Sequence, residues 1–176
     1  MTTIAYHKGV LYADRLHLRA GMPVSTFKAT KIFTAANKQF AYGVSGRGVS
    51  DANKPLIEEH LHDILQKTCT ENFNDQILFN KVANEKVVDM LGSYGMWIVI
   101  TRTRAFIISP AWVRDVGDVI TAIGTGGWMV SGMMYAGMAP DKALMNLGDL
   151  DVCTGGGVDK ITAKSLKPFI ITGVVK

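Results

Sequence analysis

The sequence predicts an α+β fold in four layers: an αββα sandwich of two antiparallel sheets, face to face, with a helix pair outside each. Three observations lead there. Strand-length runs of β-branched and aromatic residues fall in three groups, within residues 3–44, 96–123 and 158–175. Two stretches with apolar residues at helical spacing, 55–91 and 127–150, separate those groups. The chain has 176 residues, 48% hydrophobic and 19% charged, enough to bury such a core as one domain over residues 1–176 without crosslinks.

Each element has its own signal. Residues 2–7 and 10–13 read as a hairpin broken at Lys8-Gly9, with Asp14 at its end. Residues 15–20 alternate loosely, and Gly21-Met22-Pro23 is a break. Residues 31–34 and 39–44 form a second hairpin turning at Asn37-Lys38, closed by the corner Ser45-Gly46-Arg47-Gly48. A helix follows. Ser50, Asp51 or Asn53 caps it, Pro55 suits its first turn, and Leu56, Ile57, Leu61, Ile64 and Leu65 share one face. His60 and His62, two apart, point to different sides of that helix and are expected to be solvated.

A second helical pattern runs from Glu71 to Leu91. Residues 96–101, 105–109 and 119–123 are apolar runs of strand length. Residues 127–136 should form an almost fully buried helix, and Pro140 opens another that ends at Leu150. Strands over 158–162 and 168–175 complete the pattern.

Composition excludes several classes of function. The net charge of +4 is mild and the basic residues are scattered, so no nucleic-acid stripe is present. Cys69 and Cys153 are too few for a disulfide framework, which fits a reducing, cytoplasmic setting. No basic start precedes an apolar run at the N-terminus, so no signal peptide is expected. Residues 119–140 carry no charge, but the glycines at 124, 126, 127, 132 and 137 argue against a spanning helix, and no membrane association is expected.

The candidate chemistry begins at the start of the chain. Removal of Met1 would leave Thr2 with a free α-amine beside its own hydroxyl. A threonine hydroxyl needs an adjacent base to act as a nucleophile, and an α-amine with a pKa of about 8 is suited to the task near neutral pH. Further along stand Asp14 at a strand end, Lys31 at a strand start, Gly43-Val44-Ser45-Gly46, Gly124-Thr125-Gly126-Gly127 and Asp151-Val152-Cys153-Thr154-Gly155-Gly156. Taken singly, Asp14 and Lys31 read equally as a surface ion pair, Thr125 as a helix cap, and Asp151 and Thr154 as turn formers.

In this order and combination, the motifs resemble the N-terminal-nucleophile hydrolases of the proteasome type. These are the proteasome β-subunits and the peptidase subunit of the bacterial two-component ATP-dependent protease. The resemblance covers nearly the whole chain, including Thr-Thr-Ile, Ala-Ile-Gly-Thr-Gly-Gly, Gly-Met-Ala-Pro-Asp-Lys-Ala and Asp-Val-Cys-Thr-Gly-Gly. It implies that Thr2 is the nucleophile and its amine the base, that Lys31 lowers the amine's pKa, and that Asp14 holds Lys31. It implies an oxyanion donor in the N–H of Gly46 and a supporting network of Thr125, Asp151 and Thr154. Val44, Ser45 and Arg19 would border the substrate.

The sequence departs from the family's pattern in four ways. Its first hairpin is shorter, threonines stand at 125 and 154 where serine is common, Arg19 replaces a small hydroxyl residue, and Arg47 sits in the glycine corner.

The resemblance implies a threonine endopeptidase in a closed homo-oligomeric ring, acting on polypeptides without a metal or cofactor and fed by a separate ATP-dependent unfoldase. The helix over residues 55–67 and its partner are expected to contribute ring contacts. Two alternatives are a non-catalytic ring member of the same fold and an amidase on small amides.

Overall fold

The structure is a computed structural model. It describes residues 2–19, 22–28, 30–46, 49–70, 95–109, 112–150 and 154–171, with backbone only at 17–19, 22–28 and 70.

β1 (Thr3–His7) and β2 (Val10–Asp14) form the first hairpin, with His7 opposite Val10. Its two-residue turn places Lys8 at φ 46° and Gly9 at φ 76°, the left-handed backbone that matches strand twist in a tight hairpin. This pair is the centre of a four-stranded antiparallel sheet. β10 (Thr121–Gly124) lies beside β1 and β11 (Val158–Thr162) beside β2.

The second sheet is also antiparallel, in the order β5 (Ile32–Thr34), β6 (Phe40–Ser45), β7 (Met96–Thr101), β8 (Ala105–Ile108) and β9 (Val113–Asp115). A two-stranded ribbon, β3 (Leu16–Arg19) with β4 (Met22–Lys28), stands apart from both. Met22 and Pro23, where a break was expected, are therefore the first residues of a strand. Pro23 is tolerated because a two-stranded ribbon consists only of edges.

Period-two alternation along β6 divides its side chains between two cores. Phe40, Tyr42 and Val44 pack with Trp97, Val99 and Phe106 beneath α1 (Lys54–Thr70), which contributes Ile57, Leu61, Ile64 and Leu65. Ala41 faces the other way, where Ile98, Ile100 and Ile32 meet Ile4, Tyr6 and Leu11 of the first sheet. Gly43 sits at the closest approach of this layer, where a Cβ would lie 2.8 Å from Ile4 and 2.9 Å from Ile32. Only a residue without a side chain leaves both isoleucines in place. On the outer face of the first sheet, Ala5 packs against Val130 and Met134 of α2 (Gly127–Tyr135) and Ala143, Leu144 and Leu147 of α3 (Pro140–Leu150).

The start of α1 is fixed by reciprocal bonds: the Ser50 N–H donates to Asn53 Oδ1 at 2.7 Å, and the Asn53 N–H donates to Ser50 Oγ at 3.3 Å. The second helical pattern, 71–91, lies outside the described residues.

Three expectations are corrected. α2 is not almost fully buried: Gly127, Val130 and Met134 are, but Trp128 is 76% and Tyr135 66% exposed. An uncharged helix lying on a sheet can bury only the stripe that touches it. Residues 168–171 form no strand, and 172–175 lie outside the described residues. His62 is half-buried with its ring 5.5 Å from that of Phe169, and the half-buried His60 keeps Nε2 from solvent with no partner among the described residues.

Candidate active site

Thr2 precedes β1, so sheet pairing governs where it sits. Thr3 is in register with Gly124, and the Thr125 N–H donates to the Thr2 carbonyl at 3.2 Å. Gly124 has φ 91°, and a Cβ there would come 1.7 Å from the Thr2 oxygen. Its lack of a side chain is therefore a condition for this approach.

The other end of the Thr2–Thr3 peptide is held as firmly. The Thr3 N–H donates to Asp14 Oδ1 at 2.8 Å. Asp14 ends β2 on the strand paired to β1, fully buried. Its Oδ2 accepts Lys31 Nζ at 2.7 Å and the N–H groups of Leu16 at 3.2 Å and Gly155 at 3.4 Å. A buried carboxylate must be satisfied in this way to be tolerated. Lys31, 8% exposed, immediately precedes β5 in the opposing sheet. The ion pair therefore spans the two sheets. Burial pulls the Lys31 pKa below its ordinary value, and Asp14 opposes that shift without cancelling it.

Thr3 is a functional candidate that the sequence reading passed over. Its side chain is fully buried, its hydroxyl lies 2.9 Å from that of Thr154, and the Gly126 N–H donates to it at 3.2 Å. At Gly126 a Cβ would meet Leu147 at 2.2 Å and Thr3 Oγ1 at 2.8 Å, so the slot has no room for one. The available signal was the hydroxyl pair Thr2-Thr3 facing two glycine-threonine corners. Which partner each hydroxyl takes depends on contacts between residues 151 positions apart.

The remaining candidates divide. The Thr154 hydroxyl is buried on Thr3, whereas the Thr125 side chain is exposed and its N–H holds Thr2. Gly46 is exposed at φ 122°, directly after β6. The Ser45 hydroxyl donates to the Met96 carbonyl at 3.3 Å. Val44 turns its side chain into the core beneath α1, which leaves its backbone as its contribution to a site. Of Arg19 only the backbone in β3 is described, and Asp151 lies outside the described residues. Among the described residues no His, Cys, Asp and Glu cluster could hold a metal ion, and no helix is long and apolar enough to cross a membrane.

No protein-family model and no curated protein matches the chain. Solved structures do. HslV from Trypanosoma brucei superposes with a TM-score of 0.59 at 17% identity, over 91% of this chain and 97% of that one. The fold is that of the proteasome-type N-terminal-nucleophile hydrolases. Thiobacillus denitrificans BPH in complex with epoxomicin shares this N-terminal-nucleophile hydrolase fold, with a TM-score of 0.56 at 16% identity over 95% of this chain and 99% of that one. Another structure of Thiobacillus denitrificans BPH gives 0.53 at 13% identity over 91% and 95%.

Proposed function

We propose that the chain is a threonine-type endopeptidase subunit of a self-compartmentalised ring protease, with Thr2, exposed by removal of Met1, as the nucleophile. One observation carries the reading: the Thr2–Thr3 peptide is held at its carbonyl by Thr125 and at its N–H by the same Asp14 that pairs with Lys31.

In this mechanism the Thr2 amine takes the hydroxyl proton, through a water, as Oγ1 attacks the scissile carbonyl. Lys31, as a nearby cation, lowers the amine's pKa and favours the alkoxide. The Gly46 N–H stabilises the tetrahedral oxyanion, the kind of donor typically worth about 3 kcal/mol. On collapse the amine half of the substrate takes up the proton held by the Thr2 amine and leaves, and the ester left on Thr2 is then hydrolysed by water, which restores the hydroxyl. Thr125, Asp151 and Thr154 support the Thr2 amine, and Arg19, Val44 and Ser45 border the substrate. Thr3 cannot replace Thr2, because its hydroxyl is buried and its nitrogen lies in a peptide bond.

In the same reading, the two sheets and their helices form a four-layer αββα sandwich. The chain assembles with copies of itself in the cytoplasm, degrades polypeptides and works with a separate ATP-driven unfoldase. The exposed apolar residues Trp128, Tyr135, Met145 and Leu150 on α2 and α3 support self-assembly.

Intact mass before and after treatment with an epoxyketone tests the site. The expected result is a chain lacking Met1 that gains one adduct, lost in Thr2→Ala and formed more slowly in Thr2→Ser. A chain that always keeps Met1, or a Thr2→Ala variant that still cleaves peptides, contradicts it. Light scattering tests the assembly, and a monomer at every concentration contradicts the ring.

A further inference from the structure

At the end of β1 away from Thr2, the turns at Lys8–Gly9, Arg102–Thr103 and Lys164 surround a cavity of about 230 Å³. Its lining includes Tyr6, which is only 4% exposed. The Tyr6 hydroxyl accepts the Gly9 N–H at 3.2 Å, while its own proton has no acceptor among the described residues. A buried tyrosine hydroxyl ordinarily finds a partner for its proton. Burial also raises the Tyr6 pKa above its ordinary value, so the group remains a donor at neutral pH.

The cations at the rim are uncommitted. Lys8, Arg102 and Lys164 are exposed and enter no ion pair among the described residues, whereas Arg104 is engaged by Asp115 at 2.8 Å. Asp118 is the acidic residue at this cavity. Lys8, Arg102 and Lys164 therefore outweigh the carboxylate, and they come from separate segments of the chain. That arrangement favours an anion with several acceptor oxygens and more than one negative charge. A lone carboxylate, with one charge, would leave part of the donor set unmatched.

We propose that this cavity binds a phosphate-bearing small molecule, whose oxygens accept from the Tyr6 hydroxyl and pair with Lys8, Arg102 and Lys164. The site is independent of the reading of Thr2 as a nucleophile.

The test is titration of the full chain with sodium phosphate at constant ionic strength, followed by calorimetry or amide chemical shifts, with acetate as a second arm. Saturable phosphate binding is expected, stronger than that of acetate. Tyr6→Phe should weaken it about tenfold, the scale of one hydrogen bond to a charged group. Arg102→Ala, at an exposed position, should weaken it at least as much without disturbing the fold. The proposal is overturned if phosphate shows no saturation beyond chloride, if acetate binds as well, or if either variant binds phosphate like the parent chain.

Discussion

The hydroxyls of Thr3 and Thr154 lie 2.9 Å apart in a slot closed to solvent, and the Gly126 N–H completes the group. Thr3→Val keeps the shape but strands the Gly126 N–H and takes one partner from the Thr154 hydroxyl. The expected loss of stability is about 1–3 kcal/mol for the buried N–H left unpaired. Thr154→Val removes the other hydroxyl of the pair, and the double variant should lose less than the sum of the two single losses. Denaturant midpoints for the single and double variants check this. Peptide hydrolysis should fall in both, mainly in kcat, while Thr3→Ser retains the hydroxyl and most of the rate.

Asp14→Asn leaves the buried Lys31 ammonium facing a neutral amide. Breaking a buried pair at one partner typically costs about 3–5 kcal/mol, whereas replacing both partners by apolar groups costs far less. Asp14→Asn with Lys31→Met keeps an amide oxygen for the Thr3 N–H and removes the unpaired charge, so it should be more stable than Asp14→Asn alone in urea unfolding, yet hydrolyse no faster. A double variant less stable than the single one would show that the pair is not the main contribution of these residues.

The pH dependence follows from the lowered pKa of Lys31. Activation of Thr2 needs the protonated ammonium, so the rate should begin to fall at a pH below the ordinary lysine value of about 10.4. Stability has the opposite sign. Between the folded and unfolded pKa values the unfolded chain binds more protons, so this group's contribution rises with pH there and is lost as pH falls through the folded value. Parallel profiles of kcat/KM and thermal midpoint should diverge in that window. A rate that holds through the ordinary lysine range would contradict it.

Gly124→Ala forces a Cβ against the Thr2 carbonyl and strains a backbone at φ 91°. The chain start must shift, with a stability loss of about 1–3 kcal/mol and a loss of rate of about 100-fold from misplacing the nucleophile. Gly132→Ala is the control. Nothing lies within 4 Å of its Cβ, and a helix gains about 0.5–1 kcal/mol from such an exchange. Unfolding curves and single-turnover labelling of Thr2 separate the two effects.

Local signals made much of the fold legible. Lys8-Gly9 marked the first hairpin, and Pro140 gave the start of α3 and Leu150 its end. β9 was missed because its three residues are too few to show alternation. β4 was missed because Pro23 normally argues against a strand, and only the ribbon's open edges admit it. Exposure on α2 was misjudged because a largely apolar, uncharged run does not say which face meets the sheet. Asp14 and Lys31 were named through the resemblance. Their contact depends on two sheets meeting, which neither residue's surroundings encode. Thr3 escaped notice because the partners of its hydroxyl come from residues 126 and 154.

The outward face of α2 has a thermal consequence. Residues 119–140 hold no charge, and Trp128 and Tyr135 stand exposed among them. Any contact made there draws on dehydration of apolar surface, with no ionic attraction for salt to screen. Such a contact carries a negative heat-capacity change, tightens in sulfate and loosens on cooling. An assembly joined through this helix would be held together by warmth, and its particles would come apart on ice.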